Sequence, residues 1–307
     1  MQTSERIEEL QEFLQEDSSN ILARRELALL LLDSGFPKEA QLHLSVLLNT
    51  IQDDSELYYN LGIAFEKQKK FSDARDAYLK GLEIAPDDLD AVYNLGLVLT
   101  ELKDYDNAVE CFSQVLETDN QDSNSFFNTG ICYFKQGELE KALEYFQKTI
   151  EINNEDIYAH FYIGNIFKEM GDIESAYEKF NRVLELSPDY SWAYYNLAVI
   201  DWECGKTDDA LEKLDRTLEL NPKDIDAYII YAKILSSLKY FEDAETKISE
   251  AIENCGKNGN LFYIMAQIKK QLHKKDESLK YFNLAIENST TLTTNIKFVT
   301  REIKALG

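Results

Sequence analysis

Apolar and polar positions along this chain follow two superposed periods. Locally, apolar side chains recur at the three- and four-residue steps of a helix face. Over longer distances the whole pattern returns every 34 residues, with no insertion. Leu-Tyr-Tyr-Asn-Leu-Gly at 57–62 comes back as Ala-Val-Tyr-Asn-Leu-Gly at 91–96 and Ser-Phe-Phe-Asn-Thr-Gly at 125–130. It continues as Ala-His-Phe-Tyr-Ile-Gly at 159–164 and Ala-Tyr-Tyr-Asn-Leu-Ala at 193–198. A fixed period of this length means an array in which each unit packs on its neighbours.

The frame predicts eight repeats, 21–54, 55–88, 89–122, 123–156, 157–190, 191–224, 225–258 and 259–292. Position 8 is small throughout, as Ala28, Gly62, Gly96, Gly130, Gly164, Ala198, Ala232 and Ala266. Position 20 is alanine in seven repeats, from Ala40 to Ala244, and then Ser278. Position 24 is large and apolar, as in Tyr78, Phe112, Phe146 and Phe180, and position 28 is always aliphatic. Small residues at 8 and 20 let two helices approach, and the large residue at 24 fills the space beside them. Gly35, Gly137, Gly171 and Gly205 mark the turn between helices A and B, and Pro86, Pro188 and Pro222 end helix B. Each repeat is therefore predicted to be a helical hairpin.

Amphipathic segments flank the array. Residues 1–20 carry Ile7, Leu10 and Leu14 on one helix face, with Phe13 beside them. Residues 293–307 carry Ile296, Val299, Ile303 and Leu306 at helical spacing. Both are expected to cap the exposed ends of the stack.

These columns resemble the tetratricopeptide repeat (TPR). Repeat two matches that signature with Tyr58, Leu61, Gly62, Phe65, Ala74, Tyr78 and Pro86. Repeats one, seven and eight depart most, with Arg24 at the first aromatic position, Gly256 for the proline, and Lys269 and Ser278 at apolar or alanine positions. The resemblance implies an all-α, right-handed superhelical α-solenoid, in which helix A lines a concave groove. Positions 2, 5, 6, 9, 12 and 13 would then face a partner.

On that face position 5 is aromatic in six repeats, as Tyr59, Tyr93, Phe127, Phe161, Tyr195 and Tyr263. Repeats five and six add Tyr158, Tyr162, Trp192 and Trp202, the last two being the chain's only tryptophans. Such rings serve either as partner anchors, with large contact area at low entropy cost, or as core between adjacent A helices. Position 6 carries Asn60, Asn94, Asn128 and Asn196, with Asn165 one turn from the gap at Tyr162. Asparagine is unfavourable in a helix interior, and its amide can bond an extended peptide backbone without reading its sequence. The row resembles the asparagine ladder of protein O-GlcNAc transferases. The carboxylate clamp of chaperone-binding relatives is absent, since its basic positions hold Asp90 and Asn94, or Asp226 and Ile230.

Charge narrows the partner. With 32 basic against 56 acidic side chains the chain carries −24, which disfavours nucleic-acid and membrane-surface binding. The groove positions hold six basic and nine acidic residues, so they contribute little of the excess. Positions 29–34, where helix B turns into the next repeat, hold 17 acids against two lysines. Cys111, Cys132, Cys204 and Cys255 lack metal-ligand or CxxC spacing and fit a reducing, cytoplasmic setting, and no leader pattern or spanning segment occurs.

Nothing in the sequence points to catalysis, a metal or another cofactor. His43, His160 and His273 fall in separate repeats, and no phosphate loop or HExxH motif occurs. The expectation is a non-catalytic scaffold that binds an extended or helical segment of a protein or peptide. Two alternatives stand beside it: a self-associating subunit of a larger assembly, and the targeting arm of a separately encoded enzyme.

Overall fold

The computed structural model describes residues 2–306, and all regular structure among them is helical. The chain divides into two compact units, Met1–Ala159 and His160–Gly307, the division falling inside helix α10 (Ile157–Met170).

The first unit opens with α1 (Gln2–Glu16), whose Leu10 and Leu14 are buried against α2 (Ile21–Asp33) and α3 (Pro37–Leu48). Then follow α4 (Ser55–Lys67), α5 (Phe71–Ile84), α6 (Leu89–Glu101), α7 (Tyr105–Thr118), α8 (Ser123–Gln136) and α9 (Leu139–Ile152). The second unit holds most of α10, then α11 (Ile173–Leu186), α12 (Ser191–Glu203), α13 (Thr207–Leu220), α14 (Ile225–Ser237), α15 (Phe241–Cys255), α16 (Gly259–Gln271) and α17 (Lys275–Glu287). A 3-10 turn at Ser289–Thr291 leads into α18 (Ile296–Leu306), whose buried Val299 packs with Ala266 and Phe282. Each unit is an α-solenoid of stacked hairpins. No described helix is long and apolar enough to cross a membrane.

Three columns explain why the hairpins form. Position 34 caps helix A: the side chains of Asn20, Asp54, Asp88, Asp122, Asp156 and Asp224 each accept the backbone N–H three residues on. Such a cap stabilises a helix by about 1 kcal/mol. Asn258 does the same for α16, at Asn260 and Leu261.

Position 15 makes the A–B turn in the left-handed region in every repeat. Gly35, Gly137, Gly171 and Gly205 have φ between 77 and 81°, but Lys69, Lys103, Lys239 and His273 take the same place at 58–65°. Each turn closes with the six-residue bond of a Schellman motif, as from Asp104 N–H to the carbonyl of Leu99 at 2.9 Å.

Positions 8 and 24 lock the hairpin. A β-carbon on Gly96 would lie 2.7 Å from the Phe112 ring, and one on Gly62 would meet the Tyr78 ring closer still. Ala28, Ala198 and Ala232 at position 8 face the aliphatic Leu44, Leu214 and Ile248, whereas Ala266 faces Phe282.

The departures of repeat eight are satisfied locally. Ser278, fully buried, donates to the carbonyl of Ala266 at 2.8 Å. Lys269 is buried at position 11 and pairs with Glu245 at 2.7 Å and with Glu277. Repeat six also puts a charge at that position: Asp201 is fully buried, with Lys213 Nζ 2.6 Å from its carboxylate. Such a partner offsets part of the cost of burying the carboxylate.

Candidate functional site

The A helices hold the predicted site residues, and many of them already have partners. Position 5 lies over position 24 of its own repeat and also reaches the next A helix, as Tyr59 does at Asn94 and Phe161 at Trp192. Ring centroids are 6.0 Å apart for Tyr59 and Tyr78, 5.6 Å for Tyr93 and Phe112, 5.4 Å for Phe127 and Phe146, and 5.7 Å for Phe161 and Phe180. These rings are half-buried, so one edge is spent on the hairpin core and the other is open.

The asparagines are similarly engaged through their amide nitrogens. In the first unit Asn94 Nδ2 donates to the Tyr59 hydroxyl at 3.1 Å, and Asn128 Nδ2 donates to the Tyr93 hydroxyl at 2.8 Å. Asn128 also donates to the carbonyl of Asn124 at 2.9 Å, and Asn60 to that of Glu56 at 2.8 Å. A carbonyl only accepts, which fixes the amide orientation in those two residues. Burial, with Asp90 nearby, pushes the Tyr59 hydroxyl pKa up, and burial does the same at Tyr93.

In the second unit Asn196 is 6% exposed. Its Nδ2 donates to the carbonyl of Trp192 at 2.9 Å, and its Oδ1 accepts from Lys168 Nζ. Burial lowers the Lys168 pKa, which the nearby Glu203 and Glu169 oppose. Asn165 is half-buried on α10, and its side chain makes no hydrogen bond among the described residues. Burial also raises the hydroxyl pKa of Tyr162, and pushes Tyr195 up to about 12 with help from Asp226 and Asp224.

The two tryptophans do not form one surface. They stand at opposite ends of α12, about 15 Å apart along its axis at 1.5 Å per residue. Trp202 is half-buried against the core cluster that contains Ala198 and Ala210. Trp192 is 55% exposed. It joins Phe161 and Tyr190 in a group of rings with centroids 5.4 to 6.2 Å apart. Tyr158, assigned to the first unit, is 54% exposed.

Tyr190 escaped the sequence reading, although a signal was available. It occupies position 34, where Asp54, Asp88, Asp122, Asp156, Asp224 and Asn258 cap the helix A that follows. It makes no side-chain cap, and the Ala193 N–H turns instead to the Tyr190 carbonyl at 3.1 Å. Among the A helices whose N-cap is described here, α12 alone gives up the side-chain cap, and it gains a ring beside Phe161 and Trp192. A broken local folding rule of this kind is expected at functional or strained places.

No described group of His, Cys, Asp and Glu side chains is arranged to hold a metal ion. Burial raises the thiol pKa of Cys111 to about 11, with Glu110 and Asp104 adding to it, so that sulfur is a poor nucleophile.

Models of the tetratricopeptide repeat match residues 55–88, 88–155 and 167–234. No curated protein matches the chain. Among solved structures it is similar to MamA from Desulfovibrio magneticus RS-1, at 27% identity and TM-score 0.53, over 55% of this chain and 96% of that one. It is also similar to YrrB, described as a TPR protein with an unusual peptide-binding site, at 25% identity and TM-score 0.50, over 62% and 97% of the two chains. A tetratricopeptide repeat protein from Parabacteroides merdae shares the fold over 83% of this chain and 99% of its own, at 17% identity and TM-score 0.63.

Proposed function

The chain belongs to the tetratricopeptide repeat family, and from that premise we propose that it is a non-catalytic scaffold holding an extended or helical segment of a protein partner against its A helices. The observation that carries this reading is the ring group Trp192–Tyr190–Phe161 in the second unit, with Trp192 exposed over two half-buried rings and built where a helix cap is forgone. Rigid rings with one open face gain contact area at little entropy cost, which makes them anchors for an apolar side chain. The peptide-binding site of YrrB supports the same use of a related array.

The asparagines then act as acceptors. In the first unit their Nδ2 donors are engaged, while Oδ1 of Asn94 and of Asn128 makes no bond among the described residues. Each offers that oxygen to a backbone N–H of the bound segment. A partner of this kind is protein, since a chain of −24 repels nucleic-acid phosphates. Four unpaired cysteines suit the reducing cytoplasm as the place of work.

The test is quantitative. A partner isolated on the intact chain is titrated against wild type and Trp192→Ala. A loss of about tenfold or more in affinity, roughly 1.4 kcal/mol, with melting unchanged supports the reading. Equal affinity overturns it.

Self-association has separate support in α3, where Leu42 is 66% and Val46 44% exposed, one helical turn apart. Sedimentation of wild type beside Leu42→Glu decides it: a concentration-dependent mass that the variant abolishes supports a homomeric contact.

A further inference from the structure

Two pockets in this protein occupy the same place in different repeats, and their electrostatics differ. In the first unit, a pocket of 640 Å³ is lined by Glu66, Lys67, Lys69, Phe71, Leu97 and Glu101, among others. In the second unit, a pocket of 510 Å³ is lined by Lys233, Ser237, Lys239, Phe241, Ile264 and Gln271, among others. Both use positions 12, 13, 15 and 17 of one repeat and 9, 10 and 13 of the next. Lys69 and Lys239 are equivalent, both at positive φ, and so are Phe71 and Phe241.

The carboxylates do not carry over. Glu66 is replaced by Ser236 and Glu101 by Gln271, so the second pocket has lysines and no lining acid. Lys233 adds a further ammonium from α14, and neither it nor Lys239 forms an ion pair among the described residues. Helix α16 contains no acidic residue, and α14 has only Asp226, in its first turn. Glu242 and Asp243, in the first turn of α15, are the nearest acids in sequence and pair with neither lysine. The neighbouring cations Lys269 and Lys270 are already matched, by Glu245 and Glu277 and by Glu302. In a chain of −24 an uncompensated pair of ammoniums over an apolar floor is a local reversal of sign.

We propose that this pocket in repeats seven and eight receives an acidic side chain of the partner segment, with an apolar neighbour of that residue on Phe241 and Ile264. The proposal rests on the partner-binding reading and adds to it a sequence preference. The carboxylate would accept charge-assisted hydrogen bonds from Lys233 and Lys239, while Ser236 and Gln271 donate neutral ones. These residues are distinct from the positions at which a carboxylate clamp would place its basic groups. Net repulsion from the rest of the chain would keep other anions away, so contact with the pocket must be short-ranged.

Two fluorescein-labelled peptides test this on the full chain by anisotropy: Gly-Ser-Leu-Glu-Leu-Glu-Leu-Ser-Gly and its counterpart with glutamine for both glutamates. The glutamate peptide is expected to bind about tenfold tighter at low salt, the size of one charge-assisted bond pair. In the double variant Lys233→Gln, Lys239→Gln that preference should vanish, and in Lys67→Gln, Lys69→Gln it should persist. Equal binding of the two peptides, absence of binding by both, or a preference that survives the first double variant overturns the proposal. If Trp192→Ala still weakens the isolated partner while the glutamate preference is missing, the scaffold reading stands and this pocket does not belong to it.

Discussion

The hydroxyl of Tyr93 accepts a hydrogen bond at 2.8 Å from Nδ2 of Asn128, 35 residues further along the chain. The same bond joins Asn94 to Tyr59 at 3.1 Å. Position 5 of one repeat is thus tied to position 6 of the next, and the tie is a stacking device as well as part of a candidate site. Tyr93→Phe should lower stability by about 1 kcal/mol, the net worth of one such bond. Adding Asn128→Ala should cost less than the sum of the two single changes. Urea melts of the four-member cycle measure the coupling, and strict additivity would remove the tie.

Gly96 and Phe112 make a second testable pair. With a β-carbon placed 2.7 Å from the ring, Gly96→Ala should destabilise by about 1–3 kcal/mol through overpacking. Phe112→Leu in the same chain should recover part of that loss, because Ala with Leu is the pairing the array already uses at Ala28–Leu44 and Ala198–Leu214. Thermal melts of the single and double variants settle the sign.

Lys103 sits at φ 63° in the A–B turn. A side chain there costs about 1 kcal/mol relative to glycine, partly offset by glycine's greater freedom in the unfolded chain. Lys103→Gly should therefore raise stability by several tenths of a kcal/mol, read as an increased denaturation midpoint. A lowered midpoint would mean that the lysine stem contributes packing that outweighs the backbone strain.

Glu245 links acidity to stability in the second unit. Burial opposes its ionisation, but the Lys269 and Lys274 ammoniums together hold its pKa below the ordinary glutamate value of 4.5. Its ion pairs with them are complete above that value, where the carboxylate is charged in both folded and unfolded chains. As pH falls below it the unfolded chain takes up the proton first, so the contribution fades through the folded pKa. The stability difference between wild type and Glu245→Gln should accordingly be largest near neutrality and shrink below pH 4.5. A difference that does not change with pH would show that the variant acts through packing alone.

The fold was legible because its determinants are residue types with few other uses. Glycine opposite a ring, alanine at position 20 and a repeated spacing admit little besides a helical hairpin. The left-handed turn was legible at Gly35, Gly137, Gly171 and Gly205 but silent at Lys69, Lys103, Lys239 and His273, because tertiary packing imposed a conformation that their chemistry does not announce. The site was less legible for a different reason. Tyr59 and Asn94 look like groove residues by position, yet their hydrogen bond spends part of each on the array itself. Trp192 and Trp202 share a residue type and a helix, but exposure separates them. Tyr190 could have been found by asking which A helix is preceded by neither Asp nor Asn.

That capping column gives the protein's acidity an origin. Asp54, Asp88, Asp122, Asp156 and Asp224 each begin a helix by accepting a backbone N–H. Asparagine performs the same task at Asn20 without a charge. Five negative charges at the repeat junctions thus double as punctuation. An array rewritten with asparagine at those junctions would keep its helix starts while shedding them. It would thereby show how much of the chain's net charge is inherited from grammar rather than selected as an address.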